Sequence, residues 1–154
     1  MLFYIKYIDE KNKYLYKLGE IKVYKSKDRI ITPNEMKLFT VLKQMSSLND
    51  FDIFPQIPYS SIIEVNPEKR DLGGRFDYIN DLRTDFLLAD KHSSKPVLVI
   101  ELNNETHEWK NRKARDYFVY SALDNARIKY IVLKTKDLID LIKLESIIQE
   151  KLTS

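Results

Sequence analysis

Two carboxylates, each beside an apolar run, are the residues of this sequence best placed to do chemistry. The stretch Lys95-Pro96-Val97-Leu98-Val99-Ile100-Glu101-Leu102-Asn103 is a branched aliphatic run that ends in an acid. Such a run suits a strand buried on both faces, in the middle of a sheet. An unpaired charge there would be costly to desolvate, so Glu101 needs a cation, a basic partner or water. Upstream, Arg83-Thr84-Asp85-Phe86-Leu87-Leu88 reads as a second strand carrying a second acid, one hairpin away. Brought opposite each other, Asp85 and Glu101 would repel unless a cation joined them. Mg2+, or Mn2+ in its place, is the expected ion, because it takes oxygen ligands and keeps several waters. A water made more acidic in that way is able to attack a phosphodiester. Alternatively, each acid pairs with an arginine, with Arg83, Arg112 and Arg115 as candidates, and spacing alone leaves both readings open.

The elements that must position these acids follow from the pattern around them. Alternation in a strand puts Val97, Val99, Glu101 and Asn103 on one face. Thr32-Pro33-Asn34-Glu35 is a helix start, with Thr32 as N-cap, Pro33 at the first position and Glu35 placed to close a capping box. Met36, Phe39, Leu42 and Lys43 continue it to about Ser46-Ser47. Phe51 to Ile57 reads as a strand, which Pro55 assigns to an edge or a bulge. Ser60 to Ile63 reads as a short helical turn, Lys69 to Arg75 as a basic loop with two glycines, and Phe76 to Leu82 as a short helix before the Asp85 strand. Ala89 to Lys95 is the turn into the central strand. Glu108 to Ala126 is a helix whose apolar stripe is Ala114, Phe118, Ala122 and Ala126. Lys129 to Leu133 is a further buried strand, and Leu138 to Leu152 a final amphipathic helix.

Residues 1–30 differ. Leu2 to Ile8, Lys13 to Leu18 and Glu20 to Lys25 are β-prone runs carrying five of the ten tyrosines, interleaved with lysines. They read as an antiparallel ribbon whose tyrosines cover its own core, with stacking on nucleic acid as the functional alternative. The expected organisation is a ribbon over 1–30 and one domain over 31–154.

Composition is that of a globular protein: 154 residues, 44% hydrophobic and 32% charged. A net charge of +3 does not by itself announce a nucleic-acid binder. With no cysteine, disulfides, thiolate zinc sites and thiol catalysis are excluded. Met1 to Ile8 is too short and polar for a signal peptide or a membrane span, so a cytoplasmic protein without membrane contact is the default.

Asp85, then Ile100-Glu101-Leu102-Asn103-Asn104-Glu105-Thr106-His107, then Arg112-Lys113-Ala114-Arg115-Asp116, resembles the PD-(D/E)XK nuclease superfamily. More narrowly it is similar to the branch of the very-short-patch-repair endonucleases, and to an uncharacterised family of small domains that share a Thr-Pro-x-Glu helix start. The resemblance covers about Ile31 to Leu133. It implies an α/β (α+β) fold with a restriction-endonuclease-like core, a central mixed sheet flanked by helices. It also implies Asp85 and Glu101 as metal ligands, the backbone carbonyl of Leu102 as a third, and Mg2+ or Mn2+ as cofactor. Glu35 matches an acid near the metal. His107 matches a general base or a contact to the scissile phosphate. Arg112 and Arg115 would face the phosphates of a nucleic acid or brace the acids, with Lys110 and Lys113 as further phosphate contacts; DNA is the expected partner, and a homodimer is compatible with the pattern.

One position departs. The superfamily motif usually ends in Lys, and in the closer branch often in Asp, where this chain has Asn103. An amide takes no proton from water and is a weaker ligand than a carboxylate. The resemblance allows Lys110 or Lys113 to swing in from the helix instead. Two functions are therefore expected to compete: a Mg2+-dependent nuclease acting on DNA, and a catalytically inactive nucleic-acid-binding or assembly module on the same fold. Dull counterparts exist for the rest: Glu35 in its capping box, Arg112 and Asp116 as an i, i+4 pair, and Trp109 as an apolar anchor.

Overall fold

In the computed structural model, the described residues are 25–66, 79, 81–103 and 109–154, with the side chains of 109–113 excepted. The chain divides into two compact units, Met1–Ile30 and Ile31–Ser154. The expected ribbon, the 69–75 loop, most of the 76–82 helix and His107 lie outside the described residues.

The second unit is an α+β fold built on one mixed four-stranded sheet. Helix α1 (Pro33–Gln44) leads into strand β1 (Phe51–Pro55), β2 (Phe86–Asp90) and β3 (Pro96–Asn103). Helix α2 (Trp109–Asn125) then crosses to β4 (Lys129–Lys134), and α3 (Leu141–Thr153) closes the order. The strands lie in the order β1-β2-β3-β4. β1, β2 and β3 form an antiparallel meander, and β4 runs parallel to β3. β3 is thus an interior strand, as its unbroken aliphatic run requires.

Side-chain alternation sorts the core into two layers. Leu98, Ile100 and Leu102 face α1 and α3, where they join Leu38, Leu42, Phe86, Leu144 and Ile148. Val99 faces the other way, with Leu87, Tyr59, Val119 and Leu123. Glu101 and Asn103 continue the Val99 face towards the end of the strand.

Local signals behave as the residue types dictate. Thr32 and Glu35 close the capping box: the Glu35 N–H donates to Thr32 Oγ1 at 3.3 Å, and the Thr32 N–H to Glu35 Oε2 at 2.7 Å. β1 is an edge strand and ends at Pro55, which has no N–H to add to a ladder. The β2–β3 turn is tied by Asp90, whose carboxylate accepts from the Ser93 N–H and hydroxyl at 2.8 and 2.6 Å. Ala89 and Asp90 therefore belong to the strand rather than to the turn.

Three further expectations are corrected. Asp85 does not lie within a strand but in a bend just before β2, because Gln56 takes a positive φ of 55° and interrupts the pairing partner there. The sheet-facing line of α2 is Val119 and Leu123, while Ala114 and Ala126 are exposed. Val and Leu bury more apolar area than Ala and so set the helix rotation. Among the described strands β4 lies at the edge, with Ile131 and Leu133 buried and Val132 and Lys134 exposed, rather than being buried throughout.

Thr84, next to Asp85, is fully buried, and among the described residues its Oγ1 has no hydrogen-bond partner. An unsatisfied buried hydroxyl costs about 1–3 kcal/mol. Thr84→Val keeps the shape and the backbone bond from Thr84 N–H to the Ile57 carbonyl at 2.9 Å. It should raise unfolding free energy by about 1 kcal/mol in urea denaturation; an unchanged or lowered value would mean that the hydroxyl is satisfied.

Candidate active site

The β2–β3 ladder ends at Phe86↔Ile100. One step beyond, the Asp85 side chain takes over: its Oδ2 accepts from the Leu102 N–H at 2.7 Å. Continuing the register puts Asp85 opposite Glu101, and the Asp85 carboxylate is fixed by a charge-assisted bond to the backbone of the residue that follows Glu101. The other side of Asp85 is held as well, since its carbonyl accepts from the Gln56 N–H at 3.0 Å.

Glu101 has a partner that sequence reasoning did not find. The Tyr59 hydroxyl donates to Glu101 Oε1 at 2.5 Å. Tyr59 is buried and opens a 3-10 turn, Tyr59–Ser61. After the Gln56 interruption, pairing resumes through Thr84 N–H to the Ile57 carbonyl, the Pro58–Arg83 bridge, and Tyr59 N–H to the Leu82 carbonyl at 3.1 Å. This irregular continuation of the β1–β2 hairpin carries the phenol to the acid. The only local signal for it was the Pro58-Tyr59 step, which marks a strand end but says nothing of where the ring points.

The electrostatics of the pair follow from this geometry. Burial pushes the Glu101 carboxyl up from 4.5 to about 7, and the neighbouring Asp85 charge pushes the same way. The Tyr59 hydrogen bond, the Asp85 backbone N–H and the Arg115 guanidinium pull it back. Burial and the Glu101 charge hold the Tyr59 phenol far above its ordinary range, so it remains a proton donor. Arg115 lies one turn before Val119 on the sheet-facing line of α2, which brings its field to Glu101. Its guanidinium also donates to Asp116 Oδ1 at 3.3 Å. As an exposed pair, that contact adds little to stability. Arg83 goes elsewhere, its Nη1 donating to the Gln56 carbonyl at 3.1 Å.

The structure thus brings Asp85, Glu101 and the Leu102 backbone together, with Asn103 following on the Glu101 face. Glu35 has its carboxylate in the cap of α1, a helix that packs on the opposite face through Leu38 and Leu42. Lys110, Arg112 and Lys113 fall in α2, with side chains outside the described residues. Among the described residues, no group of three or more His, Asp or Glu side chains converges. Two carboxylates with a backbone carbonyl and water nevertheless make a donor set of the kind Mg2+ or Mn2+ accepts. Tyr59 holds Oε1 of Glu101, and the mutual repulsion of the acids is what an ion would relieve. The residues fit such a group.

The family described as "Protein of unknown function (DUF2726)" matches residues 27–152. The chain belongs to that family. No curated protein and no solved structure matches it. Among the described residues no helix is long and apolar enough to cross a membrane.

The raised Glu101 carboxyl sets a pH dependence. The folded state holds the proton more tightly than the unfolded chain, so stability falls as pH rises from 4.5 to about 7 and levels off above. For metal-free protein the fall is at most roughly 3 kcal/mol. Glu101→Gln, which can still accept from Tyr59, should abolish that slope and exceed wild type in stability at pH 8, measured by denaturation in EDTA. Carbon-detected NMR titration should place the Glu101 midpoint near 7 in wild type, higher in Tyr59→Phe and lower in Asp85→Asn. A midpoint that does not move in Asp85→Asn would show that the two acids do not feel each other.

Proposed function

We propose that this chain is a divalent-metal-dependent nuclease domain that hydrolyses phosphodiester bonds in DNA. The observation that carries the reading is the opposed pair Asp85 and Glu101. Two carboxylates face each other at the end of an interior strand, one anchored to the Leu102 amide at 2.7 Å, the other to a buried phenol. Holding like charges together costs folding energy, and pairs of this kind cluster where function requires them. The PD-(D/E)XK resemblance of Asp85, Glu101 and the Arg-x-x-Arg-Asp helix supports the same assignment.

Asp85, Glu101 and the Leu102 carbonyl would hold Mg2+ or Mn2+. A divalent cation at such a site supplies Lewis-acid activation of water and neutralises charge on the phosphate. The chain's own residues do the rest. Asp85 is preorganised by a backbone bond, so its position costs no reorganisation during reaction. Tyr59 donates to Oε1 and keeps Glu101 from rotating. Arg115 places a cation beside the acids, where it can meet a phosphate oxygen. Water gives up a proton as it adds to phosphorus, the bond to the leaving oxygen breaks, and that oxygen takes up a proton.

Asn103 favours a second reading, a nucleic-acid-binding module without catalysis, because its amide cannot supply the charge of a motif lysine. Cleavage assays on single- and double-stranded DNA and on RNA with Mg2+ and Mn2+ separate the two. The nuclease reading expects metal-dependent cleavage, lost at least a hundredfold in Asp85→Asn and in Glu101→Gln while DNA affinity stays within about threefold. Wild-type protein that binds DNA but cuts none of these substrates would leave the binding module.

A further inference from the structure

The register of the sheet places a lysine where the chain lacks one. β3 and β4 are parallel, with Glu101 beside Val132 and Asn103 beside Lys134. Laterally paired residues in a sheet present their side chains to the same face. Burial bears this out: Ile131 and Leu133 join Ile100 and Leu102 in the layer under α1 and α3, while Tyr130 packs with Val99 on the other side. Lys134 therefore shares the face of Glu101 and Asn103, at the same end of the sheet, one strand away at about 4.8 Å between backbones. The base of its side chain is fixed, because the Lys134 N–H donates to Asp137 Oδ2 at 2.7 Å as the chain leaves the strand for the 3-10 segment Thr135–Ile139. Lys134 is exposed, and no described carboxylate forms an ion pair with it.

We propose that Lys134 is a catalytic residue of this site, supplying from β4 the ammonium that the position of Asn103 does not. This rests on the nuclease reading given above. The four-carbon stem is long and flexible, and it carries a compact charge suited to a phosphate oxygen. From β4 it spans the short lateral step to the ground above Asn103. The ammonium contacts the scissile phosphate, offsetting the charge that builds up as water adds to phosphorus and the leaving oxygen departs. Lys110 and Lys113, the lysines suggested by sequence, belong to a helix; Lys134 belongs to the sheet that also fixes the acids.

The bland account is that Lys134 merely keeps an exposed edge strand soluble. The test uses the full chain, Mn2+ and a DNA duplex that wild type cleaves. Lys134→Met should lower single-turnover cleavage at least a hundredfold while leaving the Mn2+-induced rise in melting temperature intact. Lys136→Met, on the neighbouring 3-10 segment, should cleave as wild type does. Adding Asn103→Lys to Lys134→Met should restore at least a tenth of wild-type activity, a rescue that an edge-protecting lysine has no means to show. Cleavage by Lys134→Met within threefold of wild type, or no rescue by Asn103→Lys in a double variant that folds and binds Mn2+, would overturn the assignment. Wild-type protein that neither cleaves nor gains stability from Mn2+ would fail differently, overturning the nuclease reading and this inference with it.

Discussion

The bond from the Leu102 N–H to the Asp85 carboxylate is the constraint on which the site depends. It stands where the β2–β3 ladder stops, so a side chain does what a backbone carbonyl does elsewhere in the sheet. That exchange has two consequences. The interior strand keeps its amide satisfied to the end, as a buried N–H requires. A negative charge is also fixed beside Glu101, in surroundings too dry to screen it fully. Everything unusual about Glu101 follows from that neighbour and from burial.

The rest of the fold can be understood as support for this arrangement. The layer under α1 and α3 is wholly apolar at its centre and gives β3 a rigid back. The layer under α2 becomes polar towards the end of the strand, from Val99 to Glu101 to Asn103, and there Tyr59 and Arg115 converge. Tyr59 reaches Glu101 because the β1–β2 hairpin is interrupted at Gln56 and then resumes pairing. A regular hairpin would have continued the ladder in place of the Asp85 carboxylate. Backbone irregularity beside a pair of half-buried acids is what a preorganised site requires, and strained residues of this kind gather at such places.

Much of this was legible in advance, for physical reasons. The β3 run could only be an interior strand, because so many branched aliphatic side chains need cover on both faces. The Thr32–Glu35 box announced its helix, because its hydrogen bonds join residues only three apart. Helix α2 was found but wrongly rotated. Four-residue steps picked out alanines, whereas the sheet is covered by Val119 and Leu123, and the rotation decides that Arg115 faces Glu101. Asp85 was placed in a strand because its neighbours are β-prone, and the interruption that moves it into a bend lies in Gln56, almost thirty residues earlier.

The sequence alone determined which residues are acids, which runs must be buried, and that Asp85 and Glu101 stand one hairpin apart. Those are consequences of composition and of short-range periodicity. The tertiary structure decided what each acid touches, the Leu102 amide for one and the Tyr59 hydroxyl for the other, and that Lys134 lies on the strand beside Asn103. Such contacts link positions 17 and 42 residues apart, or strands joined through a helix. Their existence turns on register and on a single positive φ, and no local pattern encodes either.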